Sequence, residues 1–350
     1  MSELRAMVEE SVVRLFDDQV DREFLTDAED AGFAKDLWNT VLELGIDRVL
    51  VNEDNGGMQG TWRDAYSVVR ASGEYAVPLP IPEAIVAHWL MEQAALPLRE
   101  GIPGVLPQTL DAAAGLNEIT AEVTRVPWGS EADYFIGLQS NNGHTDVIVI
   151  EQGSEINRDA NLGRDSRDSV IFNHSPVSAR GATRLCANAL RSLMALMRSA
   201  QIAGAGSACL KLGLEYTSER EQFGRPLARF QAIQHHLAYM SGELATVEAM
   251  AASAFESLDK YGLEEGNANN ALFEIAAAKC RASDAVEPLT KIGHQVHGAI
   301  GFTYEYGLHF LTRRLWSWRA EFGASAEWAR YLGATAIAAG GDEIWGIITR

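Results

Sequence analysis

Three stretches of this chain carry side chains that could do chemistry. The first is Tyr216-Thr217-Ser218-Glu219-Arg220-Glu221-Gln222-Phe223-Gly224-Arg225-Pro226, continued by Phe230-Gln231-Ala232-Ile233-Gln234. Arg220 stands just ahead of a helix break that Gly224 and Pro226 impose. A guanidinium there can hold a pyrophosphate through two parallel hydrogen bonds, and an aromatic such as Phe223 can stack on adenine. The plain alternative is an Arg on a solvated helix end beside a core Phe. The second stretch is His294-Gln295-Val296-His297-Gly298-Ala299-Ile300-Gly301-Phe302. Its histidines, with His309, lack metal-ligand spacing to carboxylates, so core or surface roles are expected. The third is Glu321-Phe322-Gly323. A phenyl ring takes no proton. Glu321 can, but adjacent side chains on a helix point about 100° apart, so the two cannot fill one place without a shift. A solvated surface Glu is the plain reading there.

The elements that must position these residues change character twice along the chain. Residues 1–100 read as helical, with Leu37, Val41, Leu42 and Leu44 on one apolar face and Gly45 as a stop. Asn52 to Gly60 is a polar, glycine-rich loop. Pro78, Pro80 and Pro82 precede a helix over Glu83 to Ala95. Alternation in Ile119-Thr120-Ala121-Glu122-Val123 predicts a strand. Phe135 to Leu138 and Val147 to Ile150 predict two more, joined at an Asn141-Asn142-Gly143 turn. From about 180 the helical period returns, in long segments near 183–220, 229–261, 267–297 and 324–340 and a shorter one near 305–318. Ala and Leu dominate there, as in closely packed bundles. Helices, strands and helices are segregated, without the alternation of a parallel α/β sheet.

Composition narrows the function classes. The 350 residues suffice for two or three domains. The formal charge of -19, from 48 acidic against 29 basic residues, argues against nucleic acid and anionic membrane surfaces. No apolar run reaches the roughly 20 residues of a membrane helix, so no membrane insertion is expected. Cys186, Cys209 and Cys280 form no disulfide or metal pattern and read as small apolar residues in helices. The opening Met1-Ser2-Glu3-Leu4-Arg5 does not resemble a signal peptide, which makes a reducing cytoplasm the expected compartment.

The stretch from Gln295 through Arg313-Arg314 to Gly323 resembles the closing segment of the acyl-CoA dehydrogenases, and the run from Tyr216 to Gln234 is similar to that family's signature. Leu37-Trp38, Glu43-Leu44-Gly45, Glu53 and Gly56-Gly57 resemble its first domain. Val126-Pro127-Trp128-Gly129 with Ala132-Asp133 resembles its β-domain strand. The resemblance implies a mostly α fold with a small β domain: a helical domain over 1–103, a β domain over 104–180 and a four-helix bundle over 181–350. It implies α,β-desaturation of an acyl-CoA thioester, with a Glu taking the α-proton and FAD taking hydride. Electrons would leave to an electron-transfer flavoprotein. Arg220, Phe223, Gln231, Gln295 and Gly298 match contacts to the adenosine half of FAD made across a subunit interface. Gln222 and Val296 lie within the matching runs, and Ala299 replaces a Gly of the pattern.

The reaction centre departs from the family. Phe322 stands where the base is expected. Met194 occupies the alternative base position, and Ala195 replaces an Arg that helps hold acyl-CoA, with Arg198 one turn on. The flavin-side loop, over Val105 to Asn117, looks shortened, and Ala324-Ser325-Ala326 replaces a FAD-contacting Thr-x-Gln. Trp316 and Trp318 are candidates either to fill the vacated space or for ordinary packing, and Arg313-Arg314 reads first as a solvated helix face, with a CoA phosphate or an acidic neighbour as the alternatives. The expected role is a base-lacking subunit that completes the FAD site of a catalytic partner, in an α2β2 assembly, with a steroid side-chain CoA ester among possible substrates by family analogy. A homo-oligomer using Glu321 as base and a FAD-free scaffold are the alternatives.

Overall fold

The structure, a computed structural model, describes residues 3–141, 143–267 and 269–350. Five helices come first: α1 (Glu3–Gln19), α2 (Arg22–Ala31), α3 (Lys35–Glu43), α4 (Trp62–Glu74) and α5 (Ile81–Gln93). Their starts follow from local chemistry. Asp21 caps α2 by accepting from the Phe24 amide at 2.8 Å, and Thr61 with Asp64 forms a capping box on α4. Gly45, at φ 67°, follows α3 in the left-handed region. α5 is buried nearly all round, from Ile81 to Met91. Such a helix has to be enclosed by neighbours on every side.

A sheet region follows, with β1 (Pro103–Val105), β2 (Leu110–Asp111), β3 (Glu118–Pro127), β4 (Tyr134–Asn141), β5 (His144–Ile150), β6 (Glu155–Asn157) and β7 (Arg167–Thr183). The order is β1-β4-β5-β7-β3, with β2 on β4 and β6 on β7. The three expected strands lie in β3, β4 and β5. β4 and β5 pair to Asn141 opposite His144, and Asn142 of the expected turn lies outside the described residues. β7 was not anticipated. Its first half pairs with β3 and its second with β5, so its buried face changes along its length and no single alternation runs through it. The expected strand around Trp128 ends at Pro127; Trp128 sits at φ 57° in the turn that follows.

The rest is helical: α6 (Ala189–Glu219), a small hairpin of β8 (Glu221–Gln222) and β9 (Arg225–Pro226), then α7 (Gln231–Tyr261), α8 (Leu272–His297), α9 (Leu308–Ala320), α10 (Ser325–Ala339) and α11 (Gly341–Ile348). α11 was not foreseen. α8 packs against α6, α7, α9 and α10. α6 lies close on α4: a Cβ added at Gly204 would sit 1.9 Å from the Arg70 carbonyl, so only glycine permits this approach. Cys209 is buried in α6, Cys280 is half-buried in α8, and Cys186 is buried just ahead of α6.

Candidate functional site

Two regions of the bundle carry the residues singled out above. At the first, α6 and α8 end side by side. The Tyr216 ring stacks on His297, with centroids 4.9 Å apart, and Val296 faces Gly213. Arg220, Gln222, Phe223, Gln231, Gln295, Gly298 and Ala299 are all exposed here. Phe223 is 93% exposed, which excludes the core role that sequence left open for it. Among the described residues the Arg220 guanidinium makes no ion pair. Val296 is different: its side chain is 3% exposed and packs in the bundle core. It cannot offer a side-chain contact at the surface, because α8 turns that position inward.

Beside these residues lies a groove of about 550 Å³ lined by Glu287, Lys291, His294, Gln295, Phe302 and Trp316, with Gly298 at its edge. Gly298 has φ 65°, and nothing lies within 4 Å of where its Cβ would be. The backbone is therefore approachable by a ligand. His294 is stacked on Phe302 at 4.2 Å, and its Nε2 lies 3.0 Å from Thr312 Oγ1. Burial pushes its pKa below the usual histidine value. His309 is driven down to about 4, by burial and then by Arg313. Among the described residues no group of three His, Cys, Asp or Glu side chains gathers as metal ligands would.

The second region is the expected base position. α9 ends at Ala320, and Lys279 and Ser283 of α8 satisfy its last carbonyls. Lys279 Nζ donates to Trp318 O at 2.6 Å and to Arg319 O at 3.2 Å. Ser283 Oγ donates to Arg319 O at 2.9 Å. Helix ends need such donors when buried. Glu321 then turns inward. Its Oε1 accepts from Arg167 Nε at 2.8 Å and Asn161 Nδ2 at 2.9 Å. Its Oε2 accepts from Arg198 Nε at 2.7 Å and Arg167 Nη2 at 3.1 Å. Glu321 is thus neither a solvated surface carboxylate nor poised as a base. Burial alone would raise its pKa, but the Arg167 and Arg198 guanidiniums outweigh it and hold the carboxyl well below the usual range.

Arg198 is fully buried and forks three ways: to Glu321, to Glu83 Oε1 at 2.6 Å and to Gln201 Oε1 at 2.7 Å. It is committed to these partners. Phe322, at φ 56°, packs beside Ala195, Ala276 and Trp328, with the Arg198 guanidinium 5.4 Å from its ring centre. Met194 is buried. Neither tryptophan plays the filling role considered for it: Trp318 lies in the bundle core and Trp316 faces the groove. Arg314 is not on a solvated face but meets an acidic neighbour, the alternative considered for it. It is 3% exposed and donates to Asp165 Oδ1 at 2.9 Å, while Arg313 pairs with Glu29. Glu83, Asn161, Asp165, Arg167 and Lys279 escaped the sequence reading. Glu83 and Lys279 had a signal, as lone charges in the apolar runs Ile81 to Met91 and Ile275 to Cys280.

Residues 187–344 match the family model of the acyl-CoA dehydrogenase C-terminal domain. Acyl-CoA dehydrogenase IpdE2 of Mycobacterium tuberculosis is 27% identical over 301 residues, covering 82% of each chain. In fold, the chain superposes on the ChsE4-ChsE5 complex from Mycobacterium tuberculosis with a TM-score of 0.85 at 20% identity, covering 95% of this chain and 97% of that one. It superposes on the Tcur3481-Tcur3483 steroid ACAD G363A variant at 0.83 and 17%, covering 95% and 97%. With the helical, sheet and bundle regions in the same order, and the helix-break motif and the Gln295-to-Phe302 stretch meeting at one end of the bundle, the chain is similar to the acyl-CoA dehydrogenases, in sequence over its bundle and in fold over nearly its whole length.

Proposed function

We propose that this chain is the base-lacking subunit of a heteromeric, FAD-dependent acyl-CoA dehydrogenase. One observation carries the reading: the cofactor-gripping residues other than Val296 are exposed, and Arg220 makes no ion pair among the described residues, while the base position is filled by Phe322 and its neighbour Glu321 is held by Arg167 and Arg198. FAD supplies the hydride acceptor of the family reaction. The residues at the α6 and α8 ends fit its adenosine diphosphate half. Arg220 would hold the pyrophosphate, Phe223 offers a face for adenine, and Gln222, Gln231 and Gln295 offer amides. Gly298 and Ala299 leave the backbone open.

The flavin ring and the proton-abstracting Glu would then belong to the partner, whose substrate is an acyl-CoA. A two-chain complex and a steroid acyl-CoA dehydrogenase among the similar folds favour an α2β2 assembly and a bulky acyl group. An electron-transfer flavoprotein would take the electrons, and the setting is cytoplasmic; no helix among the described residues is long and apolar enough to cross a membrane. Glu321 as the base of a self-sufficient enzyme is disfavoured by its two guanidinium partners. The test is flavin content. Arg220→Ala should lower flavin retention by the co-expressed complex by about ten- to a hundredfold, the worth of one charge-assisted contact. Unchanged flavin in that complex sinks the reading, and a colourless wild-type complex that still assembles would establish the FAD-free scaffold instead.

A further inference from the structure

We infer that Glu321 and Arg198 form a clasp that holds the N-terminal helices, the sheet region and the bundle in one cooperative unit. The connections cross every boundary. Glu83 belongs to α5. Asn161, Asp165 and Arg167 belong to the loop entering β7 and to its first residue. Arg198 is on α6, Arg314 is on α9, and Glu321 is on the link to α10. Glu83 meets Arg198, Arg198 meets Glu321, Glu321 meets Arg167 and Asn161, and Asp165 meets Arg314. The Gly163 amide adds a bond to Ser317 Oγ at 3.2 Å.

Three carboxylates face three guanidiniums, so the cluster is balanced in charge. Side-chain exposure is 2% and 1% for Arg198 and Glu83, 8% for Arg167 and 14% for Glu321. Water cannot replace a missing partner at such positions. The clasp is centred on Glu321, beside Phe322, so the residue next to the expected base position serves here to fasten the three regions. This holds whichever chain supplies the base of the reaction.

The experiment uses the full chain and reads cooperativity as well as stability. Glu321→Gln puts an amide where four donors need a carboxylate, with at least one N–H turned on another donor. Arg198→Lys keeps the charge but loses the three-way fork. Each should lower the thermal midpoint by about 5 °C or more, split the single unfolding transition in two, and speed protease cleavage between α5 and β1 and between β7 and α6. Glu327→Gln, which breaks the exposed pair with Arg191, should do none of these. If either clasp variant is insoluble, hydrogen exchange on the unmodified chain decides: amides at 161–168 and 319–323 should exchange as slowly as those of α6. One transition with unchanged cleavage in the variants, or fast exchange at those amides, overturns the clasp.

Discussion

The two ends of the story lie on the same helices and are built oppositely. Where α6 and α8 end, polar and aromatic side chains stand in solvent: Arg220 and Gln295, and Phe223, whose ring meets only the edge-on Phe230 among the described residues. Around Glu321, several turns away along the same bundle, Glu83, Asp165, Arg167, Arg198, Arg314 and Glu321 each have an opposite charge within hydrogen-bond reach. Phe223 holds its exposed ring at φ 53°. The Arg198 and Glu321 side chains, committed to partners on every side, have no capacity left for substrate. The contrast teaches that one surface leaves its side chains available and that the other is closed from within.

Breaking the closed end should give the largest effect. Arg198→Met strands Glu83 and takes one of the four donors from Glu321, and should cost about 3–5 kcal/mol in denaturant unfolding. A loss below about 1 kcal/mol would mean that water reaches these carboxylates. Phe322→Glu places an acid at the position where the resemblance leads one to expect a base, against Ala195, Ala276 and Trp328. It should destabilise the chain by roughly 1–3 kcal/mol and give no acyl-CoA desaturation by the chain alone. Turnover in that assay would show the centre to be open.

Lys279 gives a pH test. Burial pushes its pKa from 10.5 down to about 7. Below pH 7 it is charged in folded and unfolded chains alike. Above 7 the folded chain releases the proton, whereas the unfolded chain keeps it until about 10.5. The unfolded state then binds more protons, so this group raises stability as pH rises through that window. Lys279→Met should flatten that rise, read as unfolding free energy at pH 7 and pH 9.5; an unchanged slope would mean that the ammonium stays charged inside. Glu321 has the opposite edge. Its folded pKa is depressed below 4.5, so its contribution is present above that pH and is lost in acid. The smallest effect belongs to the open end. Phe223→Ala should shift stability by no more than about 0.5 kcal/mol, while weakening flavin retention by the complex; a larger loss of stability would mean that this ring packs in the isolated chain.

Much of this was legible in the sequence, for local reasons. Gly224 and Pro226 break the helix wherever it packs, and the helical period, the short alternating runs and the strand-to-helix segregation set the fold class. The absence of a carboxylate at Phe322 is a matter of side-chain chemistry and required no coordinates. What Glu321, Arg198 and Arg314 do was decided only by tertiary structure. Glu83 lies 115 positions from Arg198, and Arg167 lies 154 from Glu321. Periodicity reports which face of a helix is apolar; it carries no information on which distant charge arrives there. Val296 and β7 were misjudged or missed on the same ground, since the direction of one side chain, or the partner of half a strand, depends on what packs against it. Local conformation is written in neighbouring residues, whereas the pairing of buried charges is settled when three separate regions close on one another and exclude water.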